Sequence, residues 1–395
     1  MRSSYKNAGR APWLGIIAMA ALGGCGSSSS NGPADASTQS GDDGGVVGDD
    51  SGNVIAPGDD DSGSTSKGDS GVKPKGPDGG ATGRESWVWV YDSYAAVMTT
   101  IAKNKASFTH VSPAFYSLNY DYQSGVAYYA SCPTGSGSIC TANGTNSFDG
   151  LTTKQFTTQA TAAGMQTIAL IYAGSENLGS DDGVKNILDN TNGAATSFIS
   201  AMTTEAVTNG YSGYNLDWEM GTTIGSTYAT KFVTFVNDFK TALSAHGMSL
   251  SVDAIVSNIN GTNCSGNSGY IDFGLLAASS IDRILIEDYI NTLGNATTSC
   301  QNVKLSSSNP PDCDYTLTGM LNMMCGPNLP LDKAVIGIDA DPGSTNPIAS
   351  AAFSAIQSYG FTRVAVWPQD PFMNTQSMQP ANATWYALLN TFLTH

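Results

Sequence analysis

The chain has 395 residues, with 33 acidic side chains against 17 basic ones and a formal net charge of −16 at pH 7. That deficit of cations argues against nucleic acid or an anionic membrane surface as a partner and fits a neutral polysaccharide or oligosaccharide. The 3 histidines (His110, His246 and the terminal His395) are scattered, and the cysteines form no C-x-x-C, so neither a metal site nor a histidine-based nucleophilic triad is expected, and no cofactor.

Residues 1–24 read as a targeting segment. Arg2, Lys6 and Arg10 precede an apolar stretch from Trp13 to Ala21 that is too short to span a membrane. Leu22-Gly23-Gly24-Cys25 then matches a bacterial lipobox, which makes Cys25 the expected lipidation site and the anchor the expected membrane contact. Gly26, where an Asp would favour inner-membrane retention, points to the outer membrane or cell surface. Residues 25–84 are dominated by Gly, Ser, Asp and Pro. They cannot bury a core and are expected to form a disordered acidic spacer.

From Glu85 the composition turns aromatic and β-branched, and residues 85–395 are long enough for one full-size barrel domain, expected as a monomer. Short apolar runs at 87–92, 109–115, 166–172, 214–219, 249–255, 283–289, 333–339 and 363–368 predict buried parallel strands. Helical patterns follow them at 94–105, 153–163, 194–209, 227–246, 273–278, 317–324, 347–359 and 383–394. In the fourth helix Phe232, Phe235, Val236 and Phe239 make one apolar stripe, and Gly247 supplies the stop. Eight strand–helix units predict an α/β fold of the (β/α)8 barrel type.

The fourth strand carries Asn215-x-Asp217-x-Glu219. Alternate side chains of a strand share a face, so these three polar groups point one way and Leu216 and Trp218 the other. Such a face is costly to bury without work to do. Two carboxylates this close cannot ionise independently, which is how a carboxyl is kept protonated as a general acid. In a barrel their place is the C-terminal rim, where barrel enzymes put their chemistry. Asp92, Asp253 and Asp339 end or line other strands at that rim, and Asp253 is a candidate substrate contact.

The segment Ser212-Gly213-Tyr214-Asn215-Leu216-Asp217-Trp218-Glu219 resembles the D-G-x-D-x-D-x-E signature of glycoside hydrolase family 18, with Ser and Asn at the first two acidic positions. The resemblance implies Glu219 as the acid that protonates the glycosidic oxygen. Asp217 would orient the 2-acetamido group, whose carbonyl oxygen is the nucleophile. Asn215 would hydrogen-bond Asp217 without adding a third charge. Ile284-Leu285-Ile286-Glu287-Asp288-Tyr289 resembles the family's strand-six Met-x-Tyr-Asp motif, which lines the acetamido pocket. Asp288 matches its Asp, Glu287 stands at the Tyr, and Tyr289 comes one residue late. Val364-Ala365-Val366-Trp367 resembles the closing strand, whose Trp floors the sugar subsite; Tyr91 and Phe115 are weaker candidates for the same wall.

Beyond Cys25, six cysteines remain: Cys132, Cys140, Cys264, Cys300, Cys313 and Cys325. An even number in an exported chain suggests disulfides. Cys132 with Cys140 is plausible as a short staple, and neighbouring barrel loops could join Cys264 to Cys300, leaving Cys313 with Cys325. The favoured expectation is a lipid-anchored hydrolase of β-linked N-acetylglucosamine glycans, such as chitin oligosaccharides or peptidoglycan. The alternatives are a non-catalytic, lectin-like barrel, and a glycosidase for sugars without an acetamido group in which Glu287 or Asp288 is a direct nucleophile.

Overall fold

The computed structural model describes residues 83–90, 94–121, 126–129, 147–148, 151–174, 180–219, 224–254, 258–259, 262–263, 270–287, 317–325, 331–339, 346–367 and 380–395. The expected leader, Cys25 and nearly all of the expected spacer lie outside them, as do Tyr91, Asp92, Asp288 and Tyr289 and all the cysteines but Cys325.

Eight parallel strands close on themselves. They are β1 (Glu85–Val90), β2 (His110–Pro113), β3 (Gln166–Gly174), β4 (Gly213–Glu219), β5 (Ser249–Ala254), β6 (Arg283–Ile286), β7 (Ala334–Asp339) and β8 (Arg363–Trp367). Each pairs with the next, and β8 pairs with β1, so no barrel strand is left with an open edge. All eight expected strands are present, and the (β/α)8 barrel is the observed fold. The helices are α1 (Tyr94–Lys103), α2 (Thr153–Ala162), α3 (Ser180–Leu188), α4 (Ala194–Asn209), α5 (Ala229–Ser244), α6 (Phe273–Ala278), α7 (Leu317–Met324), α8 (Asn346–Ser358) and α9 (Pro380–Thr394).

α3 was not anticipated. Gly183 interrupts its pattern, yet Val184, Ile187 and Leu188 are buried in its last two turns, and Asp181 and Asp182 suit the positive end of the helix dipole. A strand pair, Tyr116–Asp121 with Val126–Tyr129, was not anticipated either; its first strand continues from the top of β2 and pairs with β3.

Alternation along the strands divides the core in two. One face, including Val88, Leu216, Trp218, Val252 and Ile284, packs against the helices. The other fills the barrel with Trp87, Trp89, Ile168, Leu170, Leu285, Val335 and Ala365. At the N-terminal end the Glu85 carboxylate takes Nε–H bonds from Arg283 (3.0 Å) and Arg363 (3.0 Å) and one from the Trp87 indole (3.0 Å). Burial alone would raise its pKa, but Arg283, His110 and Arg363 together hold it at about 2. Trp87 stacks on His110, ring centres 4.3 Å apart, and burial takes the His110 imidazole down to about 4.

Gly213 is required by close approach. A Cβ there would lie 2.2 Å from the Ser249 carbonyl oxygen. This glycine at the foot of β4 lets β5 come close, and β4 and β5 bring Asp217 and Asp253 to the mouth.

Candidate active site

The facing of β4 is locked from outside the barrel. Trp218 stacks on Phe235 of α5 at 5.3 Å and meets Phe198 of α4 edge-on at 6.3 Å. The Tyr270 hydroxyl donates to the Trp218 carbonyl. Leu216 is buried in the same layer. Anchoring these two side chains outward turns Asn215, Asp217 and Glu219 inward, in a column climbing to the C-terminal mouth. Exposure rises along it: Asn215 is 0 % exposed, Asp217 2 %, and Glu219 is half-buried.

β5 and β6 add two carboxyls. Oxygens of Asp217, Glu219 and Glu287 all lie within 4.8 Å of one another. Asp253 sits at the level of Leu285 in register. Burial pushes the Asp253 carboxyl well above the ordinary carboxylate range, and the Glu219 charge pushes it further; the hydrogen bond from Asn215 opposes this. Among the described residues, this carboxylate spacing could also hold a metal ion.

Asn215 does not serve Asp217 as expected. Its Nδ2 donates to Asp253 Oδ2 at 2.8 Å, and its Oδ1 accepts from Ser251 Oγ at 2.6 Å. The reason is register: Asn215 pairs with Ser251 across β4 and β5, so Asp253 is one step up the neighbouring strand. Asn215 thus fixes Asp253, and Asp253 and Asp217 rise side by side.

Phe115 is the clearest correction. Its amide bonds back to the Pro113 carbonyl, which ends the strand alternation. The ring is then 1 % exposed and packs against Phe156 at 5.4 Å and Tyr94 at 5.7 Å, in the helix-facing layer. It cannot form a substrate wall. Trp367 ends β8 beside Asp339 of β7 in register. Three residues missed in the sequence belong to the site. Ser251 buttresses Asn215, the Trp89 indole abuts Asp253, and Tyr172 stands beside Asp217 in register on the inner face. Alternation from Glu85 and from Asp253 would have found Trp89 and Ser251.

No model of a known protein family matches the chain, and no curated protein matches it. Solved structures do resemble it. A class V chitinase from Pseudomonas fluorescens Pf-5 superposes with a TM-score of 0.52 at 12% identity, over 78% of this chain and 99% of that one. The spore cortex-lytic enzyme SleL of Bacillus megaterium QM B1551 gives 0.51 at 11% identity, over 78% and 73%. The GH18 chitinase ChiB from the chitin utilization locus of Flavobacterium johnsoniae gives 0.50 at 14% identity, over 79% and 94%. At these identities the likeness is one of fold.

Proposed function

We propose that the protein is a glycoside hydrolase that cleaves β-linked N-acetylglucosamine glycans with retention. The observation that carries this is the inward column of Asn215, Asp217 and Glu219, rising from full burial to a half-buried carboxyl at the barrel mouth. Glu219, the outermost, gives a proton to the glycosidic oxygen of a sugar entering the mouth. Asp217, sunk below it, holds the acetamido N–H and turns the carbonyl oxygen onto the anomeric carbon. The C1–O bond breaks as that oxygen closes an oxazoline ring, and water, activated by the Glu219 carboxylate, reopens it with net retention. The chitinases and cortex-lytic enzyme that share the fold support this reading.

A second reading has its own observation. Glu287 lies within 4.8 Å of Glu219, compatible with a pair in which one carboxyl protonates and the other attacks directly. Hydrolysis of chitotriose, peptidoglycan and a neutral glucan, each with and without a thiazoline mimic of the cyclised intermediate, separates the two. Cleavage of an acetamido glycan, inhibited by the mimic, supports substrate assistance. Cleavage of the glucan, insensitive to it, supports direct attack. Binding without cleavage supports a lectin-like barrel.

We also propose that Cys25 carries a lipid and that residues 25–84 hold the barrel away from a membrane; Cys25→Ser protein that still partitions with membranes contradicts this. The six remaining cysteines are proposed as disulfides, which non-reducing peptide mapping checks.

A further inference from the structure

Three carboxyls meet at the mouth from two strands that are not neighbours. Asp217 and Glu219 stand on β4 and Glu287 follows the end of β6, yet one oxygen of each lies within 4.8 Å of the others. β5 runs between those strands, and its inward residue at this height is Asp253. Asn215 pairs with Ser251, so the register sets Asp253 level with Asp217. Asp253 pairs with Leu285, which puts Glu287 one inward step above it. Asp253 is 2 % exposed. Its Oδ2 accepts from Asn215 at 2.8 Å, while its Oδ1 has no hydrogen-bond partner among the described residues.

The arginines of the barrel strands do not offset this charge. Arg283 and Arg363 are engaged by Glu85 at the opposite end. Carboxylates buried without a cation are costly, and so is a buried acceptor oxygen with nothing to accept from. A cation answers both. The spacing says which kind. Calcium takes carboxylate oxygens at about 2.4 Å, so two oxygens on opposite sides of one ion are at most about 4.8 Å apart. Every pair among the oxygens of Asp217, Glu219 and Glu287 is within that reach. The donors are all oxygen, which suits calcium rather than the softer metals that select His or Cys. No metal motif shows in the sequence because the ligands sit on separate strands.

We propose that Asp217, Glu219 and Glu287 form a calcium site at the barrel mouth, with Asp253 Oδ1 as a further ligand from beneath, and that the bound ion excludes the sugar. For its effect on turnover this rests on the catalytic reading of Asp217 and Glu219; for binding it does not. An ion held by Glu219 denies the glycosidic oxygen its proton. An ion held by Asp217 fills the place of the acetamido group. Calcium is then an inhibitor competitive with substrate. With few protein ligands its Kd should be that of a weak protein calcium site, about 0.1–1 mM.

The test titrates calcium chloride into the full chain, freed of metal by a chelator, with calorimetry on wild type, Glu287→Gln and Asp253→Asn. Both variants keep the shape of the side chain and remove its charge, and Asn at 253 still offers Asn215 an oxygen. Wild type should bind one ion at the mouth, and each variant should bind it at least about 10-fold more weakly, having lost a charged ligand. Thermal unfolding checks that the variants fold and reads the same site. Calcium at ten times the wild-type Kd should raise the wild-type Tm by about 2–3 °C and the variants' by about a third of that or less. Equal binding by all three proteins puts the ion elsewhere on this acidic chain, and no binding by wild type means no site; either overturns the proposal. On an N-acetylglucosamine oligosaccharide the same calcium should raise KM about 10-fold and leave kcat unchanged. Bound calcium that leaves KM unmoved overturns the exclusion of sugar. A protein that binds calcium as expected yet cleaves no acetamido glycan contradicts the catalytic reading and supports the site; oligosaccharide binding with and without calcium then decides the exclusion.

Discussion

Glu205 of α4 is a buried acid away from the barrel mouth, and its titration should be visible in stability. It is 1 % exposed. Its Oε1 accepts from the Tyr116 hydroxyl at 2.6 Å and from Asn209 Nδ2 at 2.7 Å, while its Oε2 has no hydrogen-bond partner among the described residues. Burial raises its pKa from 4.5 to about 7, against the bonds from Tyr116 and Asn209. The native state therefore holds the proton more tightly than the unfolded chain. Below pH 4.5 both states are protonated and the group costs nothing. Between pH 4.5 and 7 the unfolded chain gains stability by ionising, and above 7 the penalty is complete, about 3 kcal/mol at one pKa unit per 1.36 kcal/mol. Local relaxation would make this an upper bound. Glu205→Gln keeps the Oε1 acceptor but places an amide N–H where Oε2 was, so it carries its own constant cost. The informative quantity is the change with pH. Urea unfolding of both proteins at pH 4 and pH 8 should show wild type losing up to about 3 kcal/mol more than the variant over that range. Parallel losses in the two proteins would refute the reasoning.

The plug at the foot of the barrel titrates in the opposite sense. Glu85, held at about 2, contributes stability that is full above pH 4.5 and is lost as pH falls toward 2; Glu85→Gln leaves two arginines unpaired and should cost about 3–5 kcal/mol at neutral pH, read by urea denaturation. Gly213→Ala brings a methyl 2.2 Å from a backbone oxygen that cannot yield. It should lower the yield of soluble protein and the Tm, with a loss of more than about 2 kcal/mol.

The strands were legible because a parallel barrel buries both faces of each, leaving short apolar runs that stand out from polar connections. The facing of Asn215, Asp217 and Glu219 was legible from alternation alone. Alternation also aims Glu287 inward with Leu285. The partner of Asn215 was not legible, since Asp253 lies 38 residues away and the bond depends on the register of β4 against β5. Phe115 faces away from the expected wall because one backbone bond to Pro113 breaks the strand alternation. Tyr116–Asp121 escaped because its alternation with Ser, Asn and Asp looks like loop composition.

The central claim is that Glu219 is the general acid. The direct measurement is the rate of N-acetylglucosamine oligosaccharide hydrolysis by Glu219→Gln, with sugar binding and folding followed in parallel. Gln keeps the shape of the side chain but has no proton to give, so the rate should fall by about 10²-fold or more while binding and the unfolding curve hold. A variant that hydrolyses the oligosaccharide at the wild-type rate would contradict the account.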